Sequence, residues 1–567
     1  MDESEFYDSV DSDALYDPVL PDIREWPIYK LSRKRRQLME SVGLEVVGSL
    51  LSVKNKNGAL PEMIASAYQQ EKQRIRENPW KADPADEEEF WRKVKRNLQR
   101  NSDPHIQPEI SREANAAILE DIVKRYTSEI AGNFRVRTFR FAKRATNFGF
   151  TRLLSAATEG FMRGFWNPRR KLREKIIVTG ELETIRSLST KGVLLLLPTH
   201  FSNLDSVVLG WAIEAVGLPA VTYGAGINLF SHPVLAYFMN RLGGYKVDRR
   251  KKNEIYLSTL KTYATQTLVN GCHMLFFPGG TRSRSGGIEK NLKLGLLSTA
   301  IEAQRRLLEG NDEKPAKIYV VPVAVSYHVV LEGKNLIDSH LQSTDKERAV
   351  LLKDDFSSLW KNIRFIWKFL KSGSEMTIRF GSPLDLFGNF ADANGNSLDR
   401  QGKPVDIRDY FLNGGVISKD SQRDAVFTEN LGEIILDRYY KENIVFSSHV
   451  VAFTGFESFR TRYKHSELFE FLRMPEDEME ISQTEFEKAV AFVIEQLITL
   501  RSQGRLRLAP HLDTSIAEII RHGISNLGIY HVRQPLSISK DGVITTKNLR
   551  LLYYYRNRLD GYGIQAT

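Results

Sequence analysis

VLLLLPTHFSNLD, Val193 to Asp205, decides the fold. Val193 to Pro198 is an unbroken apolar run of strand length, and Leu204 to Val216 continues at helical spacing. A strand that is apolar on both sides belongs inside a sheet covered on both faces. The same strand-then-helix unit recurs outward along the chain. AVTY (Ala220 to Tyr223) precedes a helical pattern over His232 to Leu242, and YKV (Tyr245 to Val247) precedes one over Glu254 to Val269. HMLFFP (His273 to Pro278) leads through a glycine-rich turn to a helix over Leu292 to Leu308. IYVVPVAVSY (Ile318 to Tyr327) and MTIRF (Met376 to Phe380) close the series. Alternation of this kind predicts an α/β domain with a mostly parallel or mixed sheet covered by helices.

The flanks read differently. Residues 1–29 read as an acidic mobile tail and 30–175 as a helical region with a pattern over Leu38 to Leu51. Residues 176–400 hold the α/β domain, and 401–567 are mostly helical with short strands expected near 529–546. Asp86 to Arg100 reads as a solvated helix, Gly388 to Pro404 as a linker or long loop, and no internal repeat is discerned. The 567 residues carry 80 Lys+Arg against 70 Asp+Glu, a net +10, which is mild for this length and names no partner by itself. The apolar share of 42% supports a sizeable core. Cys272 is the single cysteine, so an internal disulfide and a cysteine-rich zinc site are excluded. The N-terminus lacks an apolar h-region, and no apolar run reaches membrane-spanning length.

Three stretches carry candidate chemistry. His200 follows the strand ending at Pro198 and stands where open α/β sheets bind ligands. Asp205, five residues on, is spaced to hold one imidazole nitrogen and leave the other to take a proton. His340 and Asp345 repeat the spacing without a strand before them, which reads as accident. FFPGGTRSRSG (Phe276 to Gly286) combines close-approach glycines, Gly279 and Gly280, with the donors of Thr281, Arg282, Ser283 and Arg284, a composition suited to an anion. It lacks the G-K-[S/T] signature of a nucleotide P-loop. GGYKVDR (Gly243 to Arg249) places Arg249 after a short strand as a further positive group.

Taken in order, THFSNLD, GGYKVDR, FPGGTRSRSG and VVPVAVSY resemble the boxes of the glycerolipid acyltransferase family. GAGINLF (Gly224 to Phe230) and the long TRSRSG loop look like its glycerol-3-phosphate and dihydroxyacetone-phosphate branch, as does LLYYYRNRLDGYG (Leu551 to Gly563). The resemblance implies acyl transfer from an acyl thioester, acyl-CoA or acyl-carrier protein, to the sn-1 hydroxyl of glycerol 3-phosphate, the first step of phospholipid synthesis. His200 would be general base, with Asp205 its orienter. Arg249, Arg282, Arg284 and Ser283 would hold phosphate, Gly279, Gly280 and Thr281 would line the substrate, and backbone N–H groups near Gly279 and Gly280 would face the oxyanion. No metal and no cofactor beyond the thioester co-substrate are implied. In one respect the chain departs from the family, which carries Glu before the Gly-Thr of the third box; here Gly279 stands there. Dihydroxyacetone phosphate or lysophosphatidate as acceptor, and a non-catalytic lipid or acyl-carrier binding protein, remain the alternatives.

The lipid product implies a peripheral membrane protein on the cytoplasmic face. Two basic, aromatic segments suit an anionic bilayer surface: Phe148 to Arg173, and Leu359 to Ser372 with Trp360, Lys361, Trp367 and Lys368. A nucleic-acid partner, which would use SRKRR (Ser32 to Arg36) and the basic helices, is not expected, since no recognised nucleic-acid motif is found and the basic groups interleave with acidic ones.

Overall fold

The computed structural model describes residues 16–54, 59–102, 105, 107–145, 176–231, 233–310, 317–344, 375–463, 467–527, 531 and 533–566. At its centre is a seven-stranded sheet in the order β1-β7-β6-β2-β5-β3-β4. The strands are β1 (Ile176–Gly180), β2 (Gly192–Pro198), β3 (Thr222–Gly226), β4 (Gly244–Val247), β5 (Met274–Leu275), β6 (Lys317–Tyr327) and β7 (Met376–Phe380). Every junction is parallel except β6–β7, so the sheet is mixed as the sequence predicts. The apolar run is the reason β2 lies inside: Val193 to Leu197 are at most 1% exposed, and each such side chain contributes about 1.5–3 kcal/mol by leaving water.

Two elements escape the periodicity argument. The helix Leu182–Lys191 is short, and β5 is only two residues long although HMLFFP reads as six. Beyond Leu275 the chain leaves the ladder to form the glycine-rich loop, so apolarity there serves burial rather than pairing. Phe276 is 3% exposed outside any strand.

Helices flank the sheet on the chain's two sides. Arg35–Lys54 and Pro108–Ile130 pack on Glu254–Val269, the helix that follows β4. The N-terminal region is also tied down by buried charge. Arg250 reaches Asp248 at 2.7 Å and pairs with Asp83, while Lys251 meets Glu129 at 2.6 Å and Glu87 at 3.5 Å. The helix expected to be solvated, Glu87–Asn101, has an exposed charged face and a narrow buried one that holds Trp91, Val94 and the Glu87 side chain. Tyr16 N–H donates to Ala215 O and Val19 N–H to Gly217 O, and Trp26 is 9% exposed; residues 1–15 lie outside the described residues.

The stretch expected as a linker is a three-stranded antiparallel meander, β8 (Phe390–Ala391), β9 (Ser397–Leu398) and β10 (Pro404–Val405). It is built on an internal repeat that the sequence reading did not find. Asp385, Asp392 and Asp399 each open a D-x-x-G turn, and each Oδ1 accepts main-chain N–H groups two and four residues on at 2.8–3.0 Å. Gly388, Gly395 and Gly402 close the turns at φ of +88°, +89° and +80°, a region only glycine enters freely. In the C-terminal region Ser447–Arg462 is the buried centre, with Gln483–Ser502, Ile516–Leu527 and Leu549–Arg556 around it. The strands expected near 529–546 are Ser537–Ile538 and Val543–Thr545, joined by Glu480–Ser482.

Candidate active site

Because β2, β3, β4 and β5 run parallel, the segments that follow them emerge along one edge of the sheet. His200 lies in the segment after β2, and Asp205 is the first residue of the helix Asp205–Ala215. Asp205 Oδ2 accepts from His200 Nδ1 at 2.7 Å, from Phe201 N–H at 2.7 Å and from Ser202 N–H at 3.0 Å. Asp205 Oδ1 accepts from the Tyr327 hydroxyl at 2.5 Å. Asp205 is 0% exposed, so one buried carboxylate both closes the loop and fixes the imidazole. With Nδ1 donating to it, Nε2 of a neutral ring is the basic nitrogen. The His200 side chain is 16% exposed and its ring stacks on Phe277 with centroids 3.9 Å apart. Burial and the Asp205 charge hold the Tyr327 phenol well above its usual range, which keeps it a donor.

The glycine-rich loop is stitched to this segment. Ser283 N–H donates to His200 O at 2.7 Å, and His200 N–H donates to Glu289 Oε1 at 2.9 Å. Glu289 Oε2 is sealed from solvent and has no hydrogen-bond partner, although the residue as a whole is only part-buried. Burial pushes the Glu289 carboxyl up to about 7, against the His200 N–H and the Arg558 charge, which favour its ionised form. Glu332 is a second carboxylate at the site. It accepts from the Ser202 hydroxyl and from Asn203 N–H, both at 3.0 Å, and stands 3.4 Å from Arg282 Nη1.

The C-terminal LLYYYRNRLDGYG segment underlies the site. Arg558 is buried with its guanidinium 3.9 Å over the Phe201 ring; Nε donates to Asn443 Oδ1 at 2.9 Å and Nη2 to Val325 O at 2.6 Å. Burial lowers its pKa to about 10. Asn557 Nδ2 donates to Ser285 O at 2.9 Å. Gly286, at φ +85°, lies so close to Tyr554 O that an added Cβ would fall 2.1 Å from it.

The structure distributes the other sequence candidates unevenly. Arg282 lies beside the His200 segment through Glu332. Arg284 and Thr281 are exposed on the loop. The Ser283 hydroxyl donates to Gly287 O at 2.6 Å, so it holds the turn and has no second proton for a phosphate. Gly280 N–H donates to Phe277 O at 3.0 Å, which removes it from the expected oxyanion donors. Arg249 is exposed after β4, three places from β2 in the sheet, sharing only the strand-end edge with His200. His340 is part-buried on Gly333–Thr344, and Asp345 lies outside the described residues, as do both basic aromatic segments, Phe148 to Arg173 and Leu359 to Ser372.

Sequence reasoning missed Glu289, Glu332, Tyr327 and Arg558. It also missed a histidine cluster: His328, His511 and His522 offer nitrogens within 4.8 Å of one another. Ser447 N–H donates to His511 Nε2 at 3.0 Å, which leaves the proton of a neutral ring on Nδ1, 3.1 Å from Glu375 Oε1. Neither His511 nitrogen then keeps a lone pair for a metal, so this is a hydrogen-bonded network.

Comparison with known proteins agrees with the fold. The family model described as Acyltransferase matches residues 176–326. Glycerol-3-phosphate acyltransferase of Pseudomonas aeruginosa strain UCBPP-PA14 is 27% identical over 252 residues, covering 43% of this chain and 27% of that protein. The protein of the same name from Aeromonas hydrophila subsp. hydrophila is 29% identical over 287 residues, covering 50% and 30%. That from Alteromonas mediterranea is 29% identical over 264 residues, covering 46% and 28%. The matched stretch thus spans less than a third of the length of these relatives.

Proposed function

We propose that this chain, whose residues 176–326 match the Acyltransferase family model and which is similar to glycerol-3-phosphate acyltransferases, is a glycerol-3-phosphate O-acyltransferase that uses an acyl thioester, acyl-CoA or acyl-carrier protein, and acylates the sn-1 hydroxyl. The observation that carries this reading is the His200–Asp205 pair at 2.7 Å, with Asp205 sealed and the glycine-rich loop bonded to the His200 main chain.

His200 Nε2 takes the proton of the acceptor hydroxyl as its oxygen attacks the thioester carbonyl carbon. The tetrahedral intermediate collapses, the carbon–sulfur bond breaks, and the leaving sulfur receives the proton from the imidazolium. The products are the acyl ester and the free thiol carrier, with no covalent enzyme intermediate. General-base assistance of this kind is worth about 10²–10⁴-fold. Asp205 steadies the charge on the ring, and Tyr327 and the two main-chain N–H groups hold Asp205. Arg282, with Arg284 and Arg249 along the same sheet edge, binds the phosphate. The reaction belongs to the first step of phospholipid synthesis, at the cytoplasmic face of a membrane with the protein attached peripherally. Among the described residues no helix is long and apolar enough to cross a membrane.

The test offers purified protein one labelled acyl thioester with glycerol 3-phosphate, dihydroxyacetone phosphate and lysophosphatidate in separate reactions. Labelled lysophosphatidate from glycerol 3-phosphate is the expected product. Transfer to another acceptor alone reassigns the substrate, and thioester binding without transfer to any of the three leaves a non-catalytic binding protein.

A further inference from the structure

Position 279 is a glycine with no backbone reason to be one. Its φ lies outside the left-handed region, unlike that of Gly280 at +80°, so the main chain accepts an L side chain there. What that side chain would meet is Glu289. An added Cβ falls 2.9 Å from Glu289 Cγ, 3.3 Å from its Oε1 and 3.6 Å from its Cδ. The three nearest atoms all belong to this one side chain. Glu289 therefore fills the space through which a residue at 279 would reach the His200 segment.

We propose that Glu289 supplies the carboxyl group of this site in place of a side chain at position 279, holding the His200 main chain with Oε1 and receiving a hydroxyl of the polyol acceptor with Oε2. The first contact is in the structure, His200 N–H to Oε1 at 2.9 Å. The second follows from Oε2, a buried oxygen without a partner on the carboxyl group that holds the His200 main chain, one of fourteen such side-chain atoms among the described residues. Glycerol 3-phosphate has two hydroxyls, so while one attacks, the other needs a binding group. The charged and titratable groups whose fields reach Glu289 are Arg558, Asp205, Tyr439 and Tyr440. Arg558 bonds Val325 O and Ser326, Asp205 bonds His200, and the Tyr439 hydroxyl donates to Leu197 O at 3.0 Å. The proposal rests on the acyl-transfer reading of this site and adds to it a residue ten positions beyond Gly279 in the same loop.

The test is a cycle of four proteins: wild type, Glu289→Ala, Gly279→Glu, and the double variant. Glu289→Ala should raise the acceptor KM on the order of tenfold or more and leave the donor KM unchanged. Gly279→Glu alone should also be impaired, because two side chains contest one space. The double variant should recover most of the acceptor KM lost in Glu289→Ala, since the carboxyl group now arrives from 279. If Glu289→Ala does not fold, Glu289→Gln keeps an oxygen for His200 N–H and should still raise the acceptor KM a few-fold without lowering the melting temperature. A double variant no better than Glu289→Ala, or a Glu289→Gln acceptor KM equal to wild type, overturns the proposal. Wild type that fails to acylate glycerol 3-phosphate overturns the functional reading instead. Thermal unfolding of the same four proteins keeps the two apart, because the shared space predicts a double variant more stable than Gly279→Glu whatever the substrate.

Discussion

Asp205→Asn separates the charge of the site from its shape. The asparagine oxygen can keep the Phe201 and Ser202 N–H groups that Asp205 Oδ2 now holds at 2.7 and 3.0 Å. Its NH2 then faces the Tyr327 hydroxyl, which can turn its proton away and accept. The negative charge opposite the imidazolium, formed when His200 takes the substrate proton, is lost. A hydrogen bond to a charged group is worth about 1.5–3 kcal/mol, and burial of Asp205 places this one toward the upper end. At about 1.4 kcal/mol per factor of ten, kcat should fall roughly 10- to 150-fold, with little change in either KM. Asp205→Ala is a different perturbation, since it strands two N–H groups and a buried hydroxyl at about 1–3 kcal/mol each, a large part of a typical margin of about 5–15 kcal/mol. Initial-rate acyl transfer, read beside thermal unfolding, distinguishes the two. A folded Asp205→Asn protein with kcat within about twofold of wild type would refute the charge-based account of His200.

Arg558→Lys should lower stability by about 2–4 kcal/mol in urea unfolding, because an ammonium cannot reproduce the fork that joins Asn443 and Val325; an unchanged midpoint would show that the C-terminal segment is not fixed by this residue. Acid should destabilise the protein through histidines that burial keeps neutral: His273 and His531 are lowered to about 4 and His449 to about 3. Their folded pKa values lie below the unfolded one, so the native state binds fewer protons, and the stability present above about pH 6.5 is lost as pH falls toward 4. For His273 the loss is about 3 kcal/mol at pH 4, and His273→Gln should flatten that limb of a pH series of urea unfolding curves. Glu289 acts oppositely: its folded pKa is raised to about 7, so its contribution is full below about pH 4.5 and lost as pH rises through 7, and Glu289→Gln should remove that slope. Arg282→Lys should raise the acceptor KM on the order of tenfold with kcat nearly unchanged; a selective rise in donor KM would instead assign the arginine to the thioester carrier.

What was legible in the sequence is what is local. The strand at Val193 to Pro198 and the helix at Glu254 to Val269 stand where apolar spacing puts them, and His200 and Asp205 are close enough in the chain for their contact to be read from it. The groups that complete the site are remote. Glu289 is 89 positions from the His200 N–H it holds, Glu332 is 130 from Ser202, and Arg558 is 232 from Ser326. No periodicity links such residues; only the parallel sheet edge and the packing of the C-terminal segment bring them together. The D-x-x-G repeat was missed for another reason: its period of seven is set by turn chemistry, whereas a search for apolar spacing sees a polar loop. Gly279 joins the two cases. Read along the chain, it looks like a lost carboxylate and favours a protein without turnover. In three dimensions the space beside it holds the Glu289 side chain, with one oxygen already on the His200 main chain. On the proposed role of Glu289, the glycine at 279 is no argument against catalysis, because a carboxyl group reaches the His200 main chain from ten positions further along the same loop.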